Sequence, residues 1–171
     1  MQKILRELDG ENNIRDRNLL IALAHIKPLK LKTLINILKT FGQLSAFWKA
    51  SLKELEDVRF LSKGFIDKFL SQRDRIDPSE ISEKLADRKI KTLTVLDKNY
   101  PEDLLQIYDP PLVLFYQGQW KREEQFHIGI VGSRRATVYG ERIAEKFGQE
   151  LATAGFVVVS GMARGIDSYA H

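Results

Sequence analysis

The run Val157-Val158-Val159-Ser160-Gly161-Met162-Ala163-Arg164-Gly165-Ile166-Asp167 constrains the fold of this chain more than any other. Three β-branched residues predict a strand, the glycine-flanked segment a loop, and the residues from Ile166 a helix. A strand that breaks into a glycine loop and restarts as a helix turns backbone N–H groups toward an anion. A second unit of the same kind lies upstream. Residues 126–131 read as a strand, Gly132-Ser133-Arg134-Arg135 as its loop, and residues 138–154 as an amphipathic helix with Ile143, Ala144, Phe147 and Leu151 on one face. Two such units in tandem predict a parallel βαβ pair with both loops at the carboxyl edge, where sheets of this class bind ligands.

The loops carry suitable chemistry for a phosphodiester oxygen. Ser133 offers a hydroxyl and Arg134 a guanidinium, and Gly132 lets the backbone come close. The second loop repeats the arrangement with Arg164, between glycines that admit backbone angles closed to other residues. Adjacent parallel strands lie about 4.8 Å apart, so neighbouring loops can line a groove of nucleic-acid width. The same residues also suit a purely structural role, with the glycines as turn residues and an arginine paired to a carboxylate such as Asp167.

Taken in order, Asn99-Tyr100-Pro101-Glu102, Tyr108-Asp109-Pro110-Pro111-Leu112-Val113-Leu114, Ile130-Val131-Gly132-Ser133-Arg134 with Tyr139-Gly140, and Ser160-Gly161-Met162-Ala163-Arg164-Gly165-Ile166-Asp167 closely resemble the DprA/Smf family of DNA-processing proteins. Four motifs in the family's order over roughly residues 95–171 make the resemblance specific. It implies a bacterial, cytoplasmic protein that binds single-stranded DNA, helps load the RecA recombinase, notably in natural transformation, and works as a homodimer when full length. It implies an α/β fold: a partial extended Rossmann-like parallel sheet, preceded by a small all-α domain that is SAM-like and helix-hairpin-helix-related. By that analogy Arg134 is the foremost DNA contact, with Gly132, Ser133, Ser160, Gly161, Arg164 and Gly165 beside it. Arg135 is set apart, because the next helical turn can direct it to solvent.

The rest of the chain bounds these expectations. No run approaches membrane-spanning length, and the start lacks the apolar stretch of a secretory signal. The absence of cysteine excludes disulfides, thiolate zinc sites and cysteine nucleophiles, and three scattered histidines give a metal little to bind. The net charge of +4 is unevenly spread. Residues 1–75 hold 15 Lys/Arg against 9 Asp/Glu, residues 76–125 hold 7 against 10, and the remainder 5 against 4. The excess in the first segment, with Lys27, Lys30, Lys32, Lys63, Lys68, Arg73 and Arg75, fits either a solvated helical surface or a nucleic-acid face.

Residues 1–76 read as the helical domain and 77–171 as the first half of the Rossmann-like domain, truncated. Leu19, Leu20, Leu23 and Ile26 form one stripe before Pro28. Leu31, Leu34, Ile35, Leu38 and Phe41 form a second, ending at Gly42. Ser51-Leu52-Lys53-Glu54 has capping-box spacing, and Ser62 can cap a helix whose stripe is Phe65, Ile66, Phe69 and Leu70. Phe47 and Trp48 read as core. In Arg59-Phe60-Leu61-Ser62-Lys63-Gly64 a phenylalanine stands where a DNA-binding hairpin wants glycine, so this domain reads chiefly as an accessory or interaction module. Ile81 and Leu85 mark a connecting helix, residues 91–96 and 112–116 strands, residues 101–107 a short helix, and residues 120–125 a polar connection.

Catalysis finds little support. The chain lacks a Gly-x-Ser-x-Gly elbow, a P-loop lysine and a full Gly-x-Gly-x-x-Gly fingerprint, so no catalytic residue, cofactor or metal is expected. Asp167 and His171 fall four apart and invite an acid–base reading, but Asp167 reads better as holding the loop. The rival class is a nucleotide-processing enzyme resembling the lysine-decarboxylase-like phosphoribohydrolases, which place similar glycine loops on a related sheet. Finally, Val157-Val158-Val159 reads as a strand buried on both faces. The sequence stops about one turn into the helix that should cover it, so the 171 residues are expected to be a truncated product and a poor DNA binder alone.

Overall fold

A computed structural model describes residues 13–119 and 126–171; the connection expected at 120–125 lies outside the described residues. The chain divides into two compact units, Met1–Gly118 and Gln119–His171.

Among its described residues the first unit opens with six helices: α1 (Asn13–Ile26), α2 (Leu31–Phe41), α3 (Leu44–Lys49), α4 (Leu52–Glu56), α5 (Lys63–Arg73) and α6 (Pro78–Asp87). Their ends follow from local chemistry. Gly42 closes α2, with its N–H on the Leu38 carbonyl at 2.8 Å. Ser51 and Glu54 form the reciprocal capping box of α4, and Ser62 caps α5 through Phe65 N–H. Asp77 caps α6, with Pro78 at a first-turn position where its missing N–H costs nothing.

The expected stripes are buried, with additions. Leu19, Leu20, Leu23 and Ile26 lie in the core of α1, but Ile21 and Ala22 are buried too. A helix buried this far round its axis needs a neighbour on its other side. α6 is that neighbour, and Ser82 donates to Asn18 at 3.1 Å, so α6 packs as well as connects. On α2, Ile37 is fully buried, whereas Ile35 and Phe41 are half-buried. Phe47 stacks on Phe69 with centroids 4.9 Å apart, and Trp48 meets Phe69 edge-on, which makes both core residues.

Strands β1 (Lys91–Thr94) and β2 (Val113–Tyr116) pair antiparallel, with Lys91 opposite Tyr116 and Thr94 opposite Val113; the short α7 (Glu102–Leu105) lies between them. Leu93, Val95, Tyr100 and Leu112 share one apolar cluster with the helices. Arg17 fastens the pair to α1: its Nε donates to both Asp97 oxygens at 3.1 Å and its Nη2 to the Thr92 carbonyl at 2.7 Å. The compact units therefore divide at Gly118, whereas the sequence places its boundary at 76/77, because β1 and β2 complete the helical core.

The second unit is the expected parallel pair. Strands β3 (His127–Gly129) and β4 (Val157–Val159) run in register His127 to Val157 and Gly129 to Val159. The ladder continues through Ile130 N–H on the Val159 carbonyl at 3.0 Å. Between them runs α8 (Val138–Thr153), and after β4 comes the one-turn α9 (Ile166–Tyr169). Val159 is 49% exposed in this pair. One expectation fails here. Phe147 is 54% exposed, and the buried line of α8 runs through Ala144 and Gly148, the face that meets α9.

Candidate nucleic-acid interface

Both loops leave the carboxyl ends of β3 and β4 and close on each other. At Gly165 (φ 95°) a Cβ would fall within van der Waals overlap of the Ser133 carbonyl and the Arg134 backbone, so only glycine fits both the angle and the approach. Next along, Ile166 N–H donates to that Ser133 carbonyl at 3.1 Å. Gly132 faces Ile166, whose side chain occupies the space a Cβ would need. Asp167 is buried, and its Oδ1 accepts the Gly132 N–H at 3.2 Å. Ser160 donates from Oγ to the Ile130 carbonyl at 2.7 Å. The first loop and the second are thus a single built object.

This assembly divides the sequence-derived site residues by task. Gly132, Ser160 and Gly165 fasten loop to loop. Gly161 lies against Asp167, its φ is not in the left-handed region, and Met162 beside it takes the positive angle instead (φ 52°). Ser133 Oγ accepts the Arg135 N–H at 3.1 Å, closing a local turn. Arg134, Arg135 and Arg164, all exposed, line one open hollow of about 510 Å³ together with Glu141, Ser168 and Tyr169. Arg135, which the sequence set apart, thus lines the same hollow as Arg134 and Arg164. The segment between β3 and α8 is irregular, and neither a period of two nor of 3.6 governs its side-chain directions.

Glu141 raises the Tyr169 phenol above its ordinary value, by its negative charge first and by hydrogen bonding second. Asp167 and His171 do not form an acid–base pair: Asp167 is engaged with Gly132, and exposed His171 lines a different hollow beside Glu145 and Gln149. Among the described residues no group of three or more His, Asp or Glu side chains is placed to hold a metal ion. Nor, among them, is any helix long and apolar enough to cross a membrane.

Fold and site together define a mixed protein of helices and small sheets, in which two tandem strand–loop–helix units set three guanidinium groups around one hollow. Residues 91–171 match the family model for DNA recombination-mediator protein A, and the chain is similar to proteins named Smf and DprA. It is 37% identical over 150 residues to Protein Smf of Synechocystis, an alignment covering 85% of this chain and 37% of that protein. It is 42% identical over 83 residues to the DNA processing protein DprA of Bacillus subtilis, covering 48% of this chain and 28% of that one. The X-ray structure of DprA from Streptococcus pneumoniae superposes with a TM-score of 0.61 at 28% identity, over 90% of this chain and 52% of that chain. The chain thus spans about half of that structure and less of these relatives. The matched segment straddles both compact units, taking in β1 and β2 as well as the two loops.

Proposed function

We propose that this chain belongs to a recombination mediator that binds single-stranded DNA, with the arginine hollow taking the phosphodiester backbone. The convergence of Arg134 and Arg135 from one loop with Arg164 from the other carries this reading. A guanidinium is permanently charged and forks onto phosphate oxygens, so three around one hollow favour a polyanion. Gly132, Ser133, Ser160, Gly161 and Gly165 then act mainly by holding those arginines in place. Within this reading residues 1–76 are the SAM-like module and residues 77–171 the first half of an extended Rossmann-like domain in the cytoplasm. RecA is the protein partner and a homodimer the working state, both by family resemblance. The protein acts by binding and handing over a strand rather than by catalysis.

The test is fluorescence anisotropy of the intact protein carrying this sequence, on a labelled homopolymer strand and on its duplex across a salt series. Phosphate contacts release counterions, so the logarithm of the affinity falls linearly with log salt. Preference for the single strand with such a slope is expected; equal affinity for both forms, or binding indifferent to salt, refutes the proposal.

A further inference from the structure

The hollow that gathers three arginines also holds an acid. Glu141, in the first turn of α8, lines it beside Arg134, Arg135 and Arg164, and its charge and hydrogen bond raise the phenol of Tyr169, which lines the same hollow. A second carboxylate lies at the junction of the loops. Asp167 takes the Gly132 N–H at 3.2 Å, the kind of loop amide that a phosphate in a glycine loop would claim. A cradle built only to maximise its hold on anionic charge would have neither group.

We infer that Glu141 tilts this hollow toward the singly charged phosphodiester and away from dianionic phosphate monoesters, such as free nucleotides or phosphorylated strand ends. The inference rests on the anion-binding reading of the hollow. The attraction of an anion to a fixed set of charges grows in proportion to its charge, whereas the cost of removing it from water grows as the square. Three unopposed guanidiniums favour the dianion. Placing a carboxylate among them lowers the attractive potential for both ligands, and the steeper desolvation cost then counts more heavily against the dianion. Like-charge placement of this kind discriminates by penalising the wrong ligand.

Thymidine 5′-monophosphate and its methyl ester differ by one charge on the same nucleoside; at pH 8 the monoester is dianionic, its second pKa being about 6. Both are titrated into the full chain while the amide resonances of Gly165 and Ile166 are followed. The wild type is expected to bind the methyl ester at least as tightly as the monoester. In Glu141→Gln the gain should scale with ligand charge, so a roughly threefold gain for the ester implies about ninefold for the monoester. Glu83→Gln, which removes an exposed acid of α6 that does not line the hollow, should leave the ratio of the two affinities unchanged. Tighter monoester binding by the wild type overturns the inference without any variant. Equal gains in Glu141→Gln, the same skew in Glu83→Gln, or no response to either probe also overturn it. A chain that ranks the probes as expected yet binds no DNA strand upholds the inference and refutes the DNA reading.

Discussion

Arg134 and Lys32 are both exposed cations, but they differ in what surrounds them. Arg134 stands in a hollow with two further guanidiniums, on a loop fixed through the Ser133 carbonyl and the Arg135 N–H. Lys32 is a flexible surface side chain on α2. A charge-assisted contact from a positioned guanidinium contributes about 1.5–3 kcal/mol, whereas a screened surface lysine contributes far less. Arg134→Ala should therefore weaken strand binding by at least about tenfold, and Lys32→Ala only slightly, once circular dichroism has confirmed that both variants fold. Equal losses would mean that affinity comes from diffuse charge and not from the hollow. At this scale the sequence was informative where a residue type has one use. Arg134 and Arg164 stand out because a guanidinium beside a glycine turn suits an anion. Arg135 did not, because irregular backbone gives no period from which to read its direction. Glu141 was hidden in an ordinary helix-opening position, where an acid is already favoured by the helix dipole.

Elements were more legible than residues, and their errors have a common physical source. Stripe patterns located α1, α2 and α5, and side-chain caps at Ser51 and Ser62 marked the starts of α4 and α5, because both signals are local. Burial on a second face is set by partners distant in sequence. Ile21, Ala22 and Ile37 were missed for that reason, and Phe147, although on an apolar face, lies open while Ala144 and Gly148 take the contact with α9. The parallel pairing of β3 and β4 was legible from two β-branched strands with an intervening helix; the closure of their loops onto each other was not. That closure depends on Gly165, where a Cβ would overlap the Ser133 carbonyl. Gly165→Ala should destabilise the second unit by about 1–3 kcal/mol through forced backbone displacement. It should also lower strand affinity, since Arg164 would no longer face Arg134. Hydrogen exchange at Ile166, whose N–H bonds to the Ser133 carbonyl, reads the first effect directly; unchanged protection there would show that the loops do not depend on the glycine.

For the molecule as a whole, the compact units follow the shared core and divide at Gly118. Tyr100 illustrates how β1 and β2 belong to the helical unit. It is buried in the shared cluster, its hydroxyl donates to the Pro111 carbonyl at 2.5 Å, and burial pushes its phenol up to about 12. In the unfolded chain the phenol ionises near 10. Its contribution to stability is therefore complete below about pH 10 and is lost as pH rises toward 12, because the unfolded state gives up its proton first. Chemical denaturation between pH 9 and 12 should show this decline, and Tyr100→Phe should flatten it while weakening the fold at neutral pH by removing the bond to Pro111. An equally steep decline in the variant would place the alkaline sensitivity elsewhere.

The central claim is that two loops, separated in sequence by a helix, form one anion-binding hollow. A double-mutant cycle on strand affinity, with Arg134→Ala, Arg164→Ala and the pair together, tests it most directly. Groups that share a ligand and a site couple, with interaction energies of roughly 0.5–3 kcal/mol. The account predicts that the double variant loses markedly less affinity than the sum of the single losses; strictly additive losses would contradict it.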